Sequence, residues 1–365
     1  MGVETEVKKE GIKIISKLDT LTVNSIARNI TNILCSTYPE QNLDCNDLFI
    51  SISRLNMYIA EMPNDNSKAK YYHKNSSLYF DKNVDFNHLD KCIVHECIHV
   101  IQSKKDIKNN VVQLGLCDFS RSNFPGMALN EAVVQLMAEK CVNSKPDSVK
   151  YFGIDISTTS PDYYPLECTL ANQMSYITGE SVMYDSALYG NTNFKDTFTY
   201  LTNNKAYSKI EKNIDKIMNL EDDLQVLNYR LENSEVSNNA VFKLAAKISS
   251  TKKTISNLFI NTQNLIITSY FNQYYTNLSS SHDIENFRNK LYNFKNYIGV
   301  TDDYTFYNEY YLKMMALLEE KYETLNNPSV DLTVYKPSAF NLFINKISKL
   351  FGKNKTNEIN NKINI

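Results

Sequence analysis

An α+β fold is predicted by three observations. Short segments rich in β-formers crowd between residues 48 and 80. Apolar residues at helical spacing fill most other positions up to about residue 200. Beyond residue 203 the pattern is helical, with a heptad-like seam at Ile210, Ile214, Ile217, Leu220, Leu224, Leu227 and Leu231. The expected architecture is a small antiparallel sheet packed on helices over residues 1–200, a helical hairpin or bundle over 205–327, and a C-terminal segment over 338–365.

Taken in order, residues 4–38 read as helical, carried by Ile12, Ile15 and Leu18 and then by Leu21, Ile26, Ile30, Ile33 and Leu34, with Pro39 as the stop. Leu48–Ser53 and Met57–Ala60 read as strands, and Lys70–His73 with Leu78–Phe80 as a hairpin. Asn87 is expected to cap a helix that runs to about Ser103, with Asp90 favouring the positive end of its dipole. Pro125-Gly126 precedes a helix over about Met127–Cys141. Two short helices, Pro165–Ile177 and Glu180–Leu188, are parted by Gly179. Ser208–Leu231 and Val241–Asn277 are expected to pair as a hairpin broken near Glu235, with a dimer seam as the alternative; helices over Asp283–Tyr297 and Tyr304–Leu325 follow. Ser338–Lys353 is amphipathic and basic, which suits docking on the helical region or peripheral contact with an anionic membrane. The polar tail from Asn354 is expected to be disordered.

With 365 residues there is room for about two domains. Hydrophobic residues at 42% and charged residues at 22% exclude a collagen-like or largely disordered chain. Lys and Arg number 39 against 41 Asp and Glu, so the basic excess of a dedicated nucleic-acid binder is missing and no nucleic-acid partner is expected. The N-terminus is polar and no run approaches the length of a bilayer span. Seven cysteines, an odd number without a C-x-x-C pair, read as reduced and mostly buried thiols. A cytoplasmic location is the expectation, and export without a signal the alternative. Oligomeric state is left open.

The chemistry concentrates in His95-Glu96-Cys97-Ile98-His99. An H-E-x-x-H run on a helix places two imidazoles one turn apart on one face, where both can bind a zinc ion, with the glutamate beside them as a general base. The flanking Cys92, Ile93, Val94, Ile98, Val100 and Ile101 make this a buried helix, so its polar groups need partners. Cys97 is expected to face away from the metal. Gln102 and Lys105 stand where a metzincin would place its glycine and third histidine, which excludes that class. An acidic third ligand from a second helix is the alternative. Glu131 is the leading candidate, and Asp118, Glu139 and Glu167 are its competitors. Glu139, beside Lys140 at a helix end, is expected to be exposed. His73 and His88 read as ordinary residues.

Asn130-Glu131-Ala132, following H-E-x-x-H, resembles the second-helix motif of the gluzincin metallopeptidases, over roughly residues 45–200. The resemblance implies a zincin-like catalytic domain holding one Zn²⁺ per chain through His95, His99 and Glu131. It implies Glu96 as general base, and a peptide or protein substrate bound in extended form along an edge strand, for which Leu78-Tyr79-Phe80 is the candidate. The acidic partner that steadies a ligand imidazole in the family is missing. Val134 and Gln135 stand there, and Gln135 can accept the same hydrogen bond without the charge. No histidine follows Glu131 before His282, so a tyrosine hydroxyl is sought for the oxyanion, with Tyr163, Tyr164, Tyr184 and Tyr189 as candidates. A metal-retaining interaction protein and a delivered protease effector are the other readings.

Overall fold

A computed structural model describes residues 7–8, 11–63, 68–86, 90–108, 110–233, 238–300 and 305–326. Lys13–Lys17 form a strand, β1, where a helix was expected. The first helix, α1 (Thr20–Thr37), starts only after Asp19, whose carboxylate accepts from the N–H groups of Leu21 and Thr22. A second correction is α2 (Cys45–Ser53), expected to be a strand from Leu48 onward. Asp44 caps it through the N–H groups of Asn46 and Asp47, and Leu48 and Ile52 are buried one turn apart. Capping and an i, i+4 apolar pair outweigh the β-propensity of the isoleucines here. Cys35 and Cys45, expected as thiols, are joined as a disulfide between α1 and α2 with Cα atoms 6.4 Å apart. The other five cysteines are free.

Strands β2 (Asn56–Glu61), β3 (Ala69–Tyr72) and β4 (Ser77–Asp81) join β1 in a four-stranded sheet of order β1-β2-β4-β3. β3 and β4 form the expected hairpin, with Lys70 opposite Tyr79 and Tyr72 opposite Ser77. The sheet is mixed rather than antiparallel, because β4 inserts between β3 and β2 and runs parallel to β2. Leu78-Tyr79-Phe80 is therefore an interior strand, buried throughout, and β3 is the edge. A strand covered on both faces reads as a continuous apolar run, which is what these residues are.

Helix α3 (Lys91–Gln102) carries the H-E-x-x-H run. It begins at Asp90, whose carboxylate accepts from the Cys92 N–H. Asn87 and His88 lie outside the described residues. Short strands that the sequence reading did not anticipate follow: β5 (Ser103–Lys105), β6 (Val111–Leu114) and β7 (Cys117–Asp118) in one sheet, and β8 (Asp147–Tyr151) with β9 (Ile154–Thr158) in another. Between them lies α4 (Met127–Cys141), within the bounds expected and buried almost all round.

Helices α5 (Pro165–Thr178), α6 (Glu180–Tyr189) and α7 (Asn193–Leu201) lead to two long helices, α8 (Asn204–Asn233) and α9 (Asn238–Thr276). Asn213, near the start of α8, donates to Thr262 in the second half of α9 at 2.9 Å, so the pair runs antiparallel within the chain. Helices α10 (Ser281–Phe294) and α11 (Thr305–Asn326) complete the described chain. One continuous buried core runs from α1 to α11 and takes in the inward face of α8, including Ile210, Ile214 and Ile217. No described helix is long and apolar enough to cross a membrane. The amphipathic segment 338–353 and the tail lie outside the described residues.

Candidate metal centre

Two helices build the centre. The buried face of α3 carries Ile93, Val94, Cys97 and Ile98, and the same helix turns His95 and His99 towards α4, each about 6% exposed. Close approach of the two helices is allowed by Ala128 and Ala132, small and fully buried on α4. Glu131 then meets both imidazoles. His95 Nε2 lies 3.2 Å from Glu131 Oε2, His99 Nε2 lies 3.4 Å from Glu131 Oε1, and the two Nε2 atoms are 3.0 Å apart. Ligands at 2.0–2.1 Å from one tetrahedral ion stand about 3.3 Å from each other, so the three donors already have the spacing of a coordination shell. Among the described residues this is the one group of three or more His, Cys, Asp or Glu side chains that can hold a metal ion.

Both imidazoles are held from behind by amides. His95 Nδ1 is 2.9 Å from Gln135 Oε1, as the sequence suggested. His99 Nδ1 is 3.1 Å from Gln102 Oε1, a partner that reasoning from the motif passed over. Each amide is in turn fixed by a group with no choice of role. Leu116 N–H can only donate, and it donates to Asn130 Oδ1 at 3.0 Å. Asn130 Nδ2 therefore faces Gln102 Oε1, at 3.3 Å, and that oxygen faces His99. On the other side, Gln135 Nε2 donates to Glu139 Oε1 at 2.8 Å, so Gln135 Oε1 faces His95. Both imidazoles thus present N–H at Nδ1, which leaves Nε2 to the centre.

Glu96 sits on the adjoining side of α3, and its Oε2 accepts from the Tyr71 backbone N–H of edge strand β3 at 2.6 Å. Burial pushes its carboxyl above the usual range, against the pull of the charges on His95 and His99 and of the Tyr71 N–H. Burial acts on His99 in the opposite sense, but the adjacent Glu131 carboxylate prevails and lifts the imidazole to about 9. Burial also opposes the charged form of Glu131, and the two histidines overcome it, holding its carboxyl well below the ordinary value.

Of the four tyrosines, Tyr164 is the one brought to the centre. Its ring lies over His95 at 6.4 Å between centroids and 25° between planes. Burial, then the charges of Glu131 and Glu96, push its phenol well above the usual range, so it remains an O–H donor. Its backbone is left-handed, φ 51°, an unusual conformation for a bulky residue and one that clusters at functional sites. Tyr163 is engaged elsewhere, beneath the Lys91 ammonium. Tyr184 donates to Glu180 at 2.8 Å, and Tyr189 to the Gln41 carbonyl at 2.7 Å. These three fall outside the site because their own contacts hold them elsewhere, and Leu78-Tyr79-Phe80 is not the edge because β4 lies inside the sheet.

The competing carboxylates are also accounted for. Asp118 pairs with Arg121 at 3.1 Å. Glu139, expected to be exposed, is 1% exposed and pairs with Lys91 at 3.0 Å. Glu167 is fully buried, with neither carboxylate oxygen hydrogen-bonded. No family model matches the chain, and neither a curated protein nor a solved structure matches it.

Proposed function

We propose that this chain is a zinc-dependent peptidase that cleaves internal peptide bonds, with a gluzincin-like centre in a zincin-like first region. One observation carries the reading. Two imidazole Nε2 atoms and a Glu131 oxygen pair converge at 3.0–3.4 Å while a second acidic side chain, Glu96 of α3, stands beside them and is held by the Tyr71 N–H of the edge strand β3. Two histidines and a glutamate, leaving one position open, are the donor set of a catalytic rather than a structural zinc site. When bound, the ion polarises the peptide carbonyl and acidifies water beside it.

The chain's own residues supply the rest. An extended peptide adds to the outer edge of β3, the side on which the Tyr71 N–H already faces the centre. Glu96 Oε2 is anchored by that N–H, which leaves Oε1 to take a proton from the attacking water and pass it to the departing amine. Tyr164 offers its hydroxyl proton to the developing oxyanion from above His95. The mixed sheet, with an antiparallel edge strand beside the motif helix, supports the zincin-like reading. An anchored Glu96 favours turnover over a metal-retaining interaction protein. Whether the enzyme serves its own cell or is delivered as an effector does not alter this chemistry.

The test is Glu96→Gln assayed on a peptide library. Metal content and melting temperature should match wild type while hydrolysis falls at least about 100-fold. Equal cleavage by both proteins would remove Glu96 from the mechanism.

A further inference from the structure

We infer that Glu139 is a positioning residue for the metal centre, setting the orientation of His95 through the Gln135 amide and closing a four-residue ring with Lys91. This deepens the metal-centre reading and rests on it.

Lys91 and His95 are one turn apart on α3, and Gln135 and Glu139 one turn apart on α4. The two i, i+4 pairs face each other across the helix interface. Contacts run from His95 Nδ1 to Gln135 Oε1 at 2.9 Å, from Gln135 Nε2 to Glu139 Oε1 at 2.8 Å, and from that same oxygen to Lys91 Nζ at 3.0 Å. The other Glu139 oxygen accepts from the Ser144 hydroxyl. Lys91 also pairs with Asp162 at 2.9 Å, so it is charge-balanced without Glu139. A charge 1% exposed is costly to keep, and a bare packing position would be filled by an apolar side chain.

The role follows from the ambiguity of an amide. Its two ends are nearly the same shape, so a glutamine behind a histidine can present either oxygen or NH₂. With oxygen forward, His95 carries its proton at Nδ1 and offers Nε2 to the centre. With NH₂ forward, Nδ1 must accept, and Nε2 is occupied by the proton. Glu139, ion-paired to Lys91, offers only acceptors and so forbids the second arrangement. The family's carboxylate is thus displaced one residue further out, with Gln135 as the relay. The same logic operates at His99, where the fixed end is the Leu116 N–H rather than a charge.

The experiment compares Glu139→Gln with the double variant Gln135→Glu, Glu139→Gln. A neutral glutamine at 139 no longer binds Lys91 by charge, Lys91 keeps its pairing with Asp162, and the new amide can then face Gln135 either way round, so the lock is lost. In the double variant a carboxylate accepts from His95 directly and needs no relay. Two readouts are used on full-length protein: zinc affinity by competition with a chromophoric chelator, and ¹⁵N NMR of the His95 ring nitrogens in metal-free protein. Glu139→Gln should weaken zinc binding about 10-fold or more and shift His95 protonation from Nδ1 towards Nε2. The double variant should restore both. Wild-type affinity and ring protonation in Glu139→Gln would overturn the inference. So would weakened binding with Nδ1 still protonated, which would mark a purely structural role. If wild type binds no zinc, the metal reading fails, and the ring nitrogens of metal-free protein still decide whether the relay exists.

Discussion

Gly115 shows how closely the centre is built at the scale of single residues. Its φ is +54°, and a Cβ there would lie 2.2 Å from Asn130 Oδ1, 2.6 Å from Gln102 Nε2 and 2.8 Å from the Ala187 carbonyl. The first two belong to the amides that hold His99. Gly115→Ala should cost about 1–3 kcal/mol in chemical denaturation and weaken metal binding as well. Unchanged affinity in a destabilised variant would separate the glycine from the centre. At this scale the grouping of His95, His99 and Glu131 was legible, because i, i+4 histidines around a glutamate have few other uses on a buried helix. Gln102 was visible only as a missing glycine. Glu139 was misread through its neighbour Lys140, since burial depends on which helix lies opposite. The pairs Lys91/His95 and Gln135/Glu139 were nevertheless present at helical spacing.

Among the elements, edge strand β3 matters most. The hairpin was legible, but its place in the sheet was not, because strand order depends on where β1 and β2 pack rather than on local pattern. Tyr71 N–H points to Glu96, away from the β3–β4 ladder. Tyr71→Pro therefore removes the anchor of the base without breaking a ladder bond, on an edge strand where proline is tolerated. Turnover should fall about 10-fold or more with zinc content and circular dichroism unchanged. Full activity in a folded variant would show that Glu96 needs no backbone anchor. The same lesson applies to α2 and β1, where the caps Asp44 and Asp19 decide against the apolar pattern.

Over the whole molecule, the helical region and the first region share one core, and their joint is electrostatically unusual. Asp215 of α8 accepts from the N–H groups of Gly126 and Ala128, both at 3.0 Å, and so caps the helix that carries Glu131. Glu167 of α5 lies buried near Glu221 and Asp222 of α8. Burial, and then the Asp222 charge, raise its carboxyl to about 7. Burial, followed by Glu167 and Asp222, raises Glu221 to about 10. A carboxyl with a folded value above the unfolded one stabilises the fold while protonated, so this contribution is full below the unfolded value of 4.5 and is lost as pH rises through about 7. The melting temperature of wild type should decline from pH 5 to 8 relative to Glu167→Gln, which cannot ionise. Parallel pH profiles for the two would show that Glu167 is not the group responsible.

The central claim is that His95, His99 and Glu131 hold one metal ion, and elemental analysis of the purified protein, with zinc titration of the Glu131→Ala variant beside it, tests this most directly. The account predicts about one zinc per wild-type chain and at least about a 100-fold loss of affinity in the variant. Wild-type protein without stoichiometric metal, or a variant that binds zinc as tightly as wild type, would contradict it.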